Sequence, residues 1–118
     1  MLRVLFDKNV PYPLRRHLND CRVSTAEEEG WAQISNGELI TRAEGKGYEI
    51  LVTCDQNVRY QQNLGQRRIA LVVLGSNIWH AVKPKIGEIA AALSRVSRGS
   101  FEFIEVPPPP KRRRLPVS

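Results

Sequence analysis

The chain has little of what builds thiol-rich or membrane proteins. Cys21 and Cys54 are its only cysteines, in 118 residues. A disulfide-stapled mini-domain is therefore excluded, and both thiols fit the interior of a cytosolic protein. No C-x-x-C pair or Cys/His cluster is present to bind zinc. The two histidines, His17 and His80, have no evident acid–base partner in the sequence. No apolar run approaches the roughly 20 residues that span a bilayer, so no membrane association is expected. A strand candidate already starts at Leu2, so no signal peptide is expected and a cytoplasmic location is. Ser24, Ser35 and Ser76 lack the sharp glycine-flanked turn of a nucleophile elbow. Gly45-x-Gly47 precedes an apolar strand instead of following one, which excludes a phosphate loop.

Positive charge is plentiful, but it is unevenly placed. The formal net charge is +6, and Lys111, Arg112, Arg113 and Arg114 sit together near the end. Without those four, 14 basic residues face 12 acidic ones. The remainder is thus nearly balanced, and the tail either solubilises the chain or meets a polyanion. Pro107 to Pro110 form an extended spacer. Residues 1–106 therefore read as one domain, and 107–118 as a flexible, Pro-rich, basic tail.

Within the domain, apolar runs alternate with helical spacings. Leu2–Phe6, Glu49–Thr53 and Ile69–Leu74 read as buried strands, and Cys21–Ser24 as a short one. Phe101–Val106 alternates as an edge strand does. A short helix is expected over Pro13–Leu18, because Pro suits a first helical turn. Thr25 is placed to cap a brief helix through Glu29, which Gly30 stops. Ser35 and Glu38 have the spacing of a capping box, opening a helix with Leu39, Ile40 and Ala43 on its apolar stripe. Further helices are expected from Asn57 to about Leu64 and from Pro84 to Val96. The pattern predicts a small three-layer α/β fold, with a mostly parallel sheet of about five strands flanked by helices.

Three acids stand out for chemistry. Asp7 and Asp55 each follow an apolar strand, and ligands of open α/β sheets bind beyond the strands' carboxyl ends. Glu38 opens the helix leading into the central strand and is expected over the same edge. Asn9 and Asn57 each lie two residues beyond an Asp and add neutral oxygens. Carboxylate and amide oxygens without sulfur suit Mg²⁺ or Mn²⁺. Arg15, Arg16 and Arg59 are candidates for contact with nucleic-acid phosphates, as are Arg67 and Arg68. Trp31 and Trp79 read as packing residues with a polar edge at the surface.

The segments Leu5-Phe6-Asp7-Lys8-Asn9-Val10-Pro11, Ser35-Asn36-Gly37-Glu38-Leu39 and Leu51-Val52-Thr53-Cys54-Asp55-Gln56-Asn57 resemble the short bacterial PIN-like family, similar to VapC-type toxins. The resemblance covers about residues 1 to 106. It implies a metal-dependent ribonuclease, often the toxin half of a toxin–antitoxin pair, with RNA as substrate and a small antitoxin protein as partner. It maps the family's acids onto Asp7, Glu38 and Asp55 as catalytic and metal-holding residues. Asn36 and Asn57 stand where the family has further acids, which predicts weaker cation binding. Two competing readings remain beside it. One is an inactive PIN-like module that binds nucleic acid or a protein. The other is a receiver-like phosphoacceptor, suggested by Asp55 and Lys83-Pro84 but lacking a long first helix. Assembly is left open, a homodimer being the commonest symmetric case.

Overall fold

A computed structural model describes residues 1–56 and 67–108. Five strands form one sheet: β1 (Leu2–Phe6), β2 (Cys21–Thr25), β3 (Ile50–Thr53), β4 (Ala70–Leu74) and β5 (Phe101–Ile104). Their order is β2-β1-β3-β4-β5 and every neighbouring pair is parallel. The expected mixture of directions is thus resolved to an all-parallel sheet. β3 and β4 are buried along their whole length, as continuous apolar runs require when helices cover both faces.

Successive residues of a strand point to opposite faces, and the core divides accordingly. On one face Val4, Phe6, Val52, Val72 and Leu74 pack against Leu14, Leu18, Val82, Ile89 and Leu93. On the other, Leu5, Leu51, Leu71 and Val73 meet Ala26, Leu39, Ile40, Ala43 and Tyr48. The first set comes from a 3-10 turn (Tyr12–His17) and from α4 (Ile86–Arg95) with its approach. The second comes from α1 (Ala26–Glu29), α2 (Asn36–Gly45) and, for Tyr48, the turn from α2 into β3. The architecture is a three-layer α/β fold.

Local departures have local causes. Pro11 and Pro13 remove backbone donors, so the expected helix winds as a 3-10 turn over Tyr12–His17, with Leu14 buried inside it and Leu18 just after it. The helix expected from Pro84 begins two residues later. Pro84 cannot donate to the preceding turn, so a short α3 (Trp79–Val82) passes through a 3-10 stretch, Lys83–Lys85, before α4. α3 was not evident from sequence, because Ile78 supplies no capping side chain. Gly75 sits where space is tight. A Cβ there would lie 3.0 Å from the Val106 backbone nitrogen and 3.2 Å from the Ile104 carbonyl oxygen. The helix expected over Asn57–Leu64 and the basic tail lie outside the described residues. No helix among the described residues is long and apolar enough to cross a membrane.

Candidate functional site

The strand order sets where a site can form. From β1 the chain moves outward to β2, then returns across β1 to β3 and continues through β4 to β5. The direction of winding therefore reverses between β1 and β3. At such a switch point the connections leaving the two strands diverge, and a crevice opens beyond their carboxyl ends. Asp7 is the first residue after β1, and Asp55 lies two residues after β3.

Thr53, the last residue of β3, joins the two acids. Its hydroxyl donates to Asp7 Oδ2 at 2.8 Å and accepts the Asp55 backbone N–H at 3.1 Å. Asp7 Oδ1 accepts the Lys8 backbone N–H at 2.7 Å. The Asp7 backbone N–H in turn donates to the Val52 carbonyl at 2.9 Å, extending the β1–β3 pairing by one residue. The carboxylate is thus fixed from both ends. Asp7 is only 8% exposed. Among the described residues no lysine or arginine forms an ion pair with it. Both donors described for Asp7 are neutral.

The helix residue that arrives at this edge is Asn36. Its side-chain amide donates to Asp55 Oδ2. Glu38 instead accepts from Arg42 one turn along α2, at 2.8 Å, and both side chains are about half exposed. Helix geometry explains the exchange. Residues two apart on a helix do not share a face, so Asn36 and Glu38 cannot both turn toward Asp55. Ser35 caps α2, accepting the Glu38 backbone N–H at 3.3 Å, but the Glu38 carboxylate is turned to Arg42 instead of reaching back. Among the described residues no group of three or more His, Cys, Asp or Glu is placed to hold one ion. The Asp7 carboxylate and the Asp55 backbone thus meet at Thr53, and the Glu38 carboxylate is turned to Arg42.

The remaining candidates are dispersed. Asn9 is exposed in the turn after β1 and makes no side-chain hydrogen bond among the described residues. Asn57 and Arg59 lie outside the described residues. Arg15 is engaged by Glu28 at 3.0 Å and by the Tyr12 hydroxyl at 3.2 Å, while Arg16 is exposed beside it. Arg67 donates to the Thr41 hydroxyl at 3.0 Å. His17 stacks on Trp79, with ring centroids 5.7 Å apart.

Cys54 borders the site without being able to act as its nucleophile. Burial first, and the Asp7 charge second, push its thiol up to about 12, so it stays protonated at neutral pH. Its sulfur contacts the Ser76 carbonyl at 3.3 Å, and Gln56 Nε2 donates to the Gly75 carbonyl at 3.3 Å. These contacts tie the loop after β3 to the loop after β4. Sequence reasoning did not place Thr53 or Asn36 among the acting residues. For Thr53 the signal was a hydroxyl at the end of an otherwise apolar strand, flanked by the two chosen acids. In comparisons with family models, curated proteins and solved structures, the chain finds no match.

Proposed function

We propose that this chain is a Mg²⁺- or Mn²⁺-dependent ribonuclease that hydrolyses RNA phosphodiesters at the β1–β3 switch point. The observation that carries the reading is the buried Asp7 carboxylate, whose described partners are neutral. A carboxylate withdrawn from water is costly unless a cation or a set of hydrogen bonds compensates it. The Asp55 backbone N–H is held to the same Thr53 hydroxyl, so a second carboxylate would be in reach of the same ion. Their oxygens fit a hard divalent ion.

Asp7 and Asp55 would hold the ion, and Asn36 would keep Asp55 oriented. Magnesium retains several waters and draws oxygens from a phosphate substrate, so a carboxylate pair is a sufficient protein contribution. The bound cation would supply an activated water for attack on phosphorus and stabilise the leaving oxygen. Thr53 holds the Asp7 carboxylate and the Asp55 backbone N–H, and burial of Asp7 limits competition from bulk water. The toxin role, with a small antitoxin covering the crevice, belongs to the same proposal and follows from the motif resemblance alone.

A second reading is a non-catalytic module that binds nucleic acid or a protein. It is favoured by the engagement of Glu38 with Arg42, so that among the described residues no third acid is grouped with Asp7 and Asp55. One experiment separates the two. Calorimetric titration with Mn²⁺ and cleavage of a labelled RNA are measured for the parent, Asp7→Asn and Asp55→Asn, with folding checked by circular dichroism. The nuclease reading expects saturable binding and cleavage that drops roughly 100-fold or more in each folded variant. Absence of Mn²⁺ binding at millimolar ion, or undiminished cleavage by both variants, overturns it and leaves the module.

A further inference from the structure

A second polar recess lies on the α1–α2 face of the sheet, toward the starts of β1 and β2. Arg3 and Arg22 are register partners on these adjacent strands, followed by Leu5 and Ser24. Leu5 belongs to the core on the α1–α2 side, so Arg3, Arg22 and Ser24 face that side too. α1 has only four residues and cannot cover the length of β2. The uncovered part is a recess of about 340 Å³, lined by Arg3, Arg22, Ser24, Glu29, Lys46 and Tyr48.

Three of these side chains are cationic and one is anionic. Lys46 pairs with Glu29 at 2.6 Å, and the Tyr48 hydroxyl donates to the same carboxylate at 2.7 Å. Arg3 spends one N–H on the Lys46 carbonyl, at 2.7 Å, and lies 4.7 Å over the Tyr48 ring. That leaves its guanidinium anchored but its charge uncompensated by any ion pair among the described residues. Arg22 is exposed and has no side-chain hydrogen bond or ion pair among the described residues. The recess thus carries an excess of two positive charges, both on guanidinium groups.

We propose that this recess binds a phosphate group between Arg3 and Arg22. Arg3 and Arg22 are cross-strand partners whose backbones lie about 4.8 Å apart, so both long side chains can reach one tetrahedral anion on that face. Each fork offers paired N–H donors that match phosphate oxygens. Ser24, on the strand between Arg22 and α1, adds a hydroxyl. Glu29 stays committed to Lys46 and Tyr48, so it orders the wall of the recess instead of repelling the anion. The recess is built around the third residue of the chain, whereas Asp7 lies beyond the other end of β1, so the inference does not rest on the metal reading.

Arg22 is the informative residue to change, because Arg3 also holds the turn at Lys46. The full chain is titrated calorimetrically in EDTA with inorganic phosphate and with one oligoribonucleotide in 5′-phosphorylated and 5′-hydroxyl forms. The parent, Arg22→Gln and an exposed control, Arg98→Gln, are compared. Saturable binding that Arg22→Gln weakens about tenfold, and Arg98→Gln leaves unchanged, supports the site. Preference for the 5′-phosphorylated oligomer then identifies a terminal phosphate, equal binding of both oligomers a backbone phosphate, and binding of inorganic phosphate alone a small free anion. No saturable binding of any probe, or equal loss in both variants, overturns the proposal.

Discussion

Asp7 and Glu29 are both withdrawn carboxylates beside the same sheet, and they are satisfied in opposite ways. Asp7, at the carboxyl end of β1, takes its described hydrogen bonds from a hydroxyl and a backbone N–H. Glu29, at the end of α1, takes its own from the Lys46 ammonium and the Tyr48 hydroxyl. The first arrangement gives the carboxylate no cationic partner among the described residues. The second cancels the acid locally and leaves the neighbouring arginines in surplus. A neutral donor positions a carboxylate without discharging it, whereas a lysine does both. This difference gives the two regions their opposite expected ligands, a cation at one and an anion at the other.

Removing the donor that defines the Asp7 region should have the largest effect on stability. Thr53→Val preserves shape but deletes the hydroxyl shared by Asp7 and the Asp55 N–H. The cost expected in urea unfolding is about 1–3 kcal/mol, because a buried carboxylate loses a partner. Mn²⁺ affinity should fall by roughly 10–100-fold, as it does when a group that orients a ligand is lost. Unchanged stability and affinity would show that Thr53 is incidental and that the two acids are held by other means.

Glu29→Gln tests the other half of the contrast. Lys46 first, and Tyr48 next, hold the Glu29 carboxyl below its ordinary value of 4.5. A carboxyl lowered by folding contributes stability that is present above that ordinary value and lost as pH falls through the folded-state value. The parent should therefore lose stability below about pH 4.5 more steeply than Glu29→Gln, as read from urea midpoints across a pH series. Parallel pH profiles would mean that Glu29 is not tied to Lys46 in solution. The same substitution frees Lys46 and should tighten phosphate binding in the recess.

The smallest effect is expected at Glu38. Its pairing with Arg42 is an exposed i,i+4 contact, and such pairs contribute about 0.3–0.5 kcal/mol. Glu38→Gln should cost no more than that and should leave Mn²⁺ affinity unchanged. A large loss of metal binding would return Glu38 to the ion and recast its contact with Arg42 as one that binding displaces.

Much of this was legible along the chain, for reasons that differ by element. The Thr25–Glu28 box forms reciprocally and Gly30 closes α1 at φ +78°, because caps are set by residues three or four apart. The same spacing at Ser35 and Glu38 yields only half a box, since Arg42 lies one turn on and takes the carboxylate. Two apolar strands that each end in an acid were expected to bring Asp7 and Asp55 to one sheet edge; they follow adjacent parallel strands, and both bond to the Thr53 hydroxyl, Asp55 through its backbone N–H. Glu38 was expected with them, and Asn36 is found at that edge instead, because sequence order does not say which side of a helix will rest on the sheet. The recess around Arg3 and Arg22 had no motif at all, since its two arginines are 19 residues apart and become neighbours only through the β1–β2 register.

The amino-acid order alone determined the strands and the approximate ends of the capped helices, and that apolar runs ending in acids would lie in a covered sheet. Periodicity, caps and glycines act over a few residues and need no partner. Tertiary structure decided the all-parallel order, the reversal of winding between β1 and β3, and which polar side chains meet there. Those outcomes depend on how helix faces and strand registers bury apolar surface together, and that choice is made by the whole chain at once.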